Sequence, residues 1–109
     1  PNDVSAEELR AKGPEYEKAA ILISTTYESI ALLLFHEMIA FKVVRELTGG
    51  TTVVMWKKLN KWAGSIRIEQ EHPSWAEWFQ WLAGILEREK NSEQLRPANV
   101  RFSTWKPKK

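Results

Sequence analysis

The sequence predicts an all-α fold, a small bundle of four to five helices followed by an extended basic C-terminal tail. Three observations predict it. Apolar residues recur at three- and four-residue spacing through most of the chain, helix-start signals open two of the segments, and glycine or proline marks most of the joins. Val53-Val54 alone reads as strand, and Trp56, Lys57, Lys58 and Leu59 restore helical spacing directly after it.

The first segment opens at Ser5-Ala6-Glu7-Glu8, a capping box in which serine and glutamate satisfy each other's free amides. Gly13-Pro14 ends it and starts the second, since proline suits a first helical turn and Glu15 and Glu17 complement the dipole. This second helix is expected over about Glu15 to Phe35, with Ile23, Tyr27, Ile30 and Leu34 in one stripe. A bend is expected near His36. A third segment, Met38 to Leu47, stops at Thr48-Gly49-Gly50. Thr51 or Thr52 caps a fourth, running to about Glu71 with Val53, Trp56, Leu59, Ala63 and Ile66 on its apolar side. His72-Pro73 closes it, and Ser74-Trp75-Ala76-Glu77 reads as a second capping box, opening a fifth helix to about Lys90. The bundle thus occupies residues 1–90. Residues 91–109 form a polar and basic tail, extended or disordered, from which Phe102 or Trp105 can dock back.

The run from Ala19 to Phe41 is the stretch closest to a membrane span. Glu28, His36 and Glu37 interrupt it, so it reads as too short and too often charged to cross hydrocarbon, and instead as the nearly all-round buried central helix of a soluble bundle. No secretory signal is visible. The chain opens at Pro1 without methionine, so a natural start lying further upstream is expected.

Composition excludes more than it assigns. With 109 residues and 43% apolar content the chain builds one modest core. It has no cysteine, which removes disulfides, thiolate nucleophiles and the usual zinc knuckles and is compatible with a reducing compartment. The formal net charge is +2, but Arg96, Arg101, Lys106, Lys108 and Lys109 follow Glu93 with no acid among them, which leaves the body net acidic. A basic tail on an acidic body is no nucleic-acid-binding face.

No catalytic, cofactor or metal site emerges. His36-Glu37 starts like the zinc-protease helix motif, but position 40 is Ala40 where a second histidine is required. His72, the other histidine, with Glu69 or Glu71 makes a poor metal set. Gly49-Gly50 lacks the lysine–serine pair of a phosphate loop. Glu28 and Arg67 are expected to form a buried or half-buried structural ion pair that fixes helix register. An enzyme is therefore not expected.

Six tryptophans are more ring area than a domain of this size readily hides. Trp56 and Trp78 share stripes with core residues. Trp75 and Trp81 are rotated by about 240° on an ideal helix and cannot share one narrow face. Trp62, flanked by Lys58 and Lys61, reads as a rim residue. Trp62, Trp75, Trp81 and Trp105 are accordingly the expected interaction surface, for a homo-oligomer or a protein partner. The alternative is a membrane-surface or nucleic-acid-binding module that uses the exposed tryptophans and the basic tail.

Tyr27-Glu28 with Ile30-Ala31, Trp56 with Leu59, Ile66-Arg67, Pro73, and Phe79 with Trp81-Leu82-Ala83 form an ordered set over about residues 20 to 87. In that set the chain resembles an uncharacterised bacterial family of small helical domains of unknown function. It departs from the family pattern around His36 to Ala40, where the glycine and acid expected from that pattern are not matched. The resemblance implies a cytosolic domain behind an N-terminal membrane helix, with no activity assigned, and so a cytoplasmic location at the inner face of a bacterial membrane.

Overall fold

The computed structural model describes residues 3–89 and 103–107. Among them are four helices and no strand: α1 (Ala6–Lys12), α2 (Pro14–Phe35), α3 (Phe41–Glu69) and α4 (Glu77–Arg88). The protein is a small all-α bundle. Of the expected tail, residues 103–107 are non-helical and exposed; Phe102 and most of 91–109 lie outside the described residues.

α1 starts as its sequence dictates. The Glu8 amide donates to Ser5 Oγ at 3.1 Å and the Ser5 amide to Glu8 Oε1 at 3.2 Å, completing the capping box. Its apolar side, Ala6 and Leu9, is buried. Arg10 ties it down, donating to Glu17 on α2 at 3.1 Å and through two nitrogens to Glu69 on α3 at 2.6 and 3.0 Å. Gly13 takes φ 130°, which a side chain would strain, and lets the chain reverse straight into α2 at Pro14.

α2 ends at His36 as expected, without the expected glycine, because Glu37 itself adopts the left-handed conformation (φ 58°). Two expected boundaries are corrected. The stop at Thr48-Gly49-Gly50 does not occur, and the third and fourth expected segments are one 29-residue helix, α3. On either side of the glycines Val44 and Thr52 are 1% and 0% exposed, and Thr48 and Thr52 donate their hydroxyls to the carbonyls of Val44 and Thr48. Two mid-helix glycines cost about 2 kcal/mol, less than burying both sides of that segment returns. Because a methyl added at Gly50 meets nothing within 4 Å, Gly50→Ala is expected to stabilise the protein by about 1 kcal/mol in urea unfolding. A helix broken there would gain nothing.

The second correction is at α4. Its first residue is Glu77, and its cap position is Ala76 in the left-handed region (φ 59°) with no side-chain cap of its own. The box at Ser74 therefore does not form, and Trp75 lies in the turn before the helix. α4 fills the groove between α2 and α3, burying Phe79, Leu82, Ala83 and Leu86.

α2 also departs from expectation. Only Ala20, Ser24, Tyr27 and Ala31 are buried, so it packs one narrow side and is not enclosed.

Candidate functional site

The start of α4 is held by two charged side chains from its neighbours. The Phe79 amide donates to Glu28 Oε1 from α2, so a carboxylate from another helix satisfies the free N-terminal amide that Ala76 cannot cap. From α3, Arg67 Nε donates to the Trp75 carbonyl at 2.7 Å and its NH2 group to Gln80 Oε1 at 3.0 Å. Glu28 and Arg67 form no ion pair with one another, which corrects the expected pairing. They grip the same turn separately, because the amides and carbonyls of residues 75–80 offer each a hydrogen bond of the right sign. Burial pushes the Glu28 carboxyl above the ordinary carboxylate range; the Phe79 and Trp78 amides oppose this, and the nearby Glu77 charge adds to it.

Aromatic rings complete the dock. Phe79 stacks on Tyr27 with centroids 5.0 Å apart and meets Trp56 edge-on at 5.1 Å. Phe35 closes the other edge against Trp78 (4.9 Å) and Trp81 (6.0 Å).

The expected tryptophan surface is largely corrected. Trp62 is 0% exposed. It lies three residues after Leu59 and four before Ile66, on the inner stripe of α3, and donates Nε1 to Glu17 Oε2 at 3.1 Å while meeting Trp75 edge-on at 6.3 Å. Its lysine neighbours point outward around it, so they carried no information about its own direction. Trp75 and Trp81 are half-buried, and the helical angle between them does not apply because Trp75 precedes the helix. Trp56 and Trp78, expected in the core, are half-buried against it. Trp105 is 68% exposed.

The open apolar surface lies instead on α2. Leu22 is 67% exposed and Phe35 53%, and Ile21, Leu32 and Leu33 are exposed as well. From Ala19 to Phe35 the one charged residue is Glu28, which turns toward α4. The outward face is thus charge-free over 17 residues, about 25 Å of helix. Two of its hydroxyls turn back onto the helix. Thr26 donates to the Leu22 carbonyl at 2.8 Å and Ser29 to the Thr25 carbonyl at 2.9 Å. Met38, Val43 and Leu47 extend the exposed apolar surface past the α2–α3 turn. α2 is also long and apolar enough to cross a membrane by length and composition, with a mean hydropathy of 1.4 over its most apolar window. By length and composition the run therefore meets the requirement that the sequence reading denied it, a test that the core helix of a soluble bundle also passes. The signal in the sequence was a 17-residue stretch with a single charge, and hydropathy does not distinguish a helix enclosed by protein from one open on one side.

A small all-α domain whose third and fourth helices carry its core, with no cluster of three or more His, Asp or Glu placed to hold a metal among the described residues, is the class that this geometry defines. The family model described as a domain of unknown function, DUF4760, matches residues 2–85, and the chain belongs to that family. No curated protein and no solved structure matches the chain. The residues that carry the resemblance now have a place: Tyr27, Glu28, Trp56, Arg67 and Phe79 are those that dock the start of α4.

Proposed function

We propose that this is a non-enzymatic interaction domain that self-associates through the outward face of α2, on the cytoplasmic side of a bacterial membrane. The observation that carries the reading is the charge-free face from Ala19 to Phe35, on which Thr26 and Ser29 turn their hydroxyls back to helix carbonyls. A face without charge has no repulsive element against its own copy, and an antiparallel two-fold pairing lays Leu22 of one copy near Leu33 of the other. The apolar length of α2 favours a second reading, in which the same face lies on lipid. Binding through exposed tryptophans and a basic tail has less support, since Trp105 alone of the six is exposed.

Light scattering behind a sizing column tests the proposal. The expected result is a dimer whose mass is unchanged between low and high salt and which Leu33→Glu converts to a folded monomer. A monomeric parent protein that floats with liposomes supports the lipid reading; one that does neither removes both.

A further inference from the structure

A cleft of about 330 Å³ lies between the inner edge of α2 and the turn that leads into α4. Glu28, Ser24 and Ser29 line it from α2, His72 and Trp75 from the turn, and Glu77 from the first residue of α4. We propose that this cleft binds a primary alkylammonium group.

Two independent features carry the proposal. The first is polar atoms left without partners. Ser24 is 2% exposed and its Oγ makes no hydrogen bond, although Thr26 and Ser29 on the same helix bond backbone carbonyls. Trp75 Nε1–H is also buried without a partner, but as a donor it cannot be satisfied by an ammonium and serves as a reporter of the site rather than a contact. Buried polar groups are satisfied in the large majority of cases, and each exception costs about 1–3 kcal/mol. The second feature is charge. Two carboxylates, Glu28 and Glu77, stand in the wall, and no lysine or arginine lines it. Arg67, whose charge weakly favours the Glu28 carboxylate, is engaged with the Trp75 carbonyl and Gln80. The Phe79 amide donates to one Glu28 oxygen and the Trp78 amide also acts on the carboxylate; with about four acceptor sites on its two oxygens, the second oxygen can still accept. An ammonium group supplies what is missing: positive charge for the two carboxylates, N–H donors for that oxygen and the Ser24 hydroxyl, and a cation beside the Trp75 ring. The cleft suits a head with a short carbon chain.

The proposal does not depend on self-association, although Thr25, Ser29 and Leu32 border both the cleft and the open face of α2. It is therefore tested on the parent protein and on Leu33→Glu alike. Ethylammonium chloride is titrated into ¹⁵N-labelled protein while the Trp75 indole N–H, assigned with Trp75→Phe, is followed against sodium chloride at equal ionic strength. The expected result is a saturable shift that sodium does not give, lost in Ser24→Val and weakened roughly five-fold in Glu77→Gln, which removes one exposed charge. Glu77 makes no tertiary ion pair, so this variant stays folded whatever happens to the site. Glycerophosphoethanolamine as titrant separates the sources: a tighter response than ethylammonium assigns the amine to a lipid headgroup, and a weaker one to a free amine. A shift equal to that of sodium, or one unaffected by Glu77→Gln and Ser24→Val, overturns the proposal.

Discussion

Trp62→Ala is expected to destabilise the protein by about 3–5 kcal/mol, measured as the loss of unfolding free energy in urea. Trp62 is fully enclosed on the inner stripe of α3, so its removal empties a volume between Leu59, Ile66 and Trp75 that the neighbouring helices cannot collapse into. Small domains carry about 5–15 kcal/mol in total, so this one change takes a large share of it. Trp62→Phe separates the two contributions. It keeps most of the ring and loses the Nε1 donor to Glu17, at a cost of about 1.5 kcal/mol, the usual figure for a hydrogen bond to a charged acceptor. The rim position suggested by Lys58 and Lys61 predicts the opposite, a change within about 0.5 kcal/mol for either variant.

Glu28→Ala is expected to cost about 2 kcal/mol, because it leaves the Phe79 amide without its acceptor at a helix end that has no cap of its own. Hydrogen exchange locates the loss: protection at the start of α4 falls before that of α3. Glu28→Gln keeps an acceptor oxygen and removes the charge, so it isolates the effect of pH. Burial holds the Glu28 proton more tightly in the folded protein than in the unfolded chain. The stability this group contributes is therefore full below the ordinary carboxylate pKa, declines as pH rises from there to the raised value, and is constant above it. Glu17 works in the opposite sense, since Arg10 holds its carboxyl below the ordinary range and the stability it gives is lost as pH falls through that lower value. Stability measured against pH is expected to lose its decline above the ordinary carboxylate range in Glu28→Gln, with the acid limb due to Glu17 intact.

These two residues also show where the sequence was legible. Features decided within a few residues could be read: the Ser5–Glu8 box, the Gly13-Pro14 reversal and the end of α2 at His36 each rest on local hydrogen bonds. Features decided by a distant partner could not. Ser74 carries a good capping signal, but Arg67 takes the Trp75 carbonyl and Glu28 the Phe79 amide, and together they set the start of α4 two residues later. Gly49-Gly50 carries a good stop signal, yet α3 continues because Val44 and Thr52 are both drawn into the core. Glu28 and Arg67 were recognisable as register-fixing residues but were read as each other's partners, while their main partners, the Phe79 amide and the Trp75 carbonyl, leave no trace in side-chain identity. The same limit hid the open face of α2. Ala20, Ser24, Tyr27 and Ala31 are the buried stripe, and nothing in the larger residues around them tells that none of the described helices covers the other side.

The central claim, that α2 meets a second copy along this face, is tested most directly by oxidative cross-linking. The chain has no cysteine, so a single cysteine reports one position. Thr26→Cys, exposed near the middle of the face, and Asn60→Cys, exposed on α3, are oxidised in parallel. The account predicts a covalent dimer from Thr26→Cys that disappears when Leu33→Glu is added, and none from Asn60→Cys. Equal cross-linking at the two positions, or none at Thr26→Cys, would contradict it.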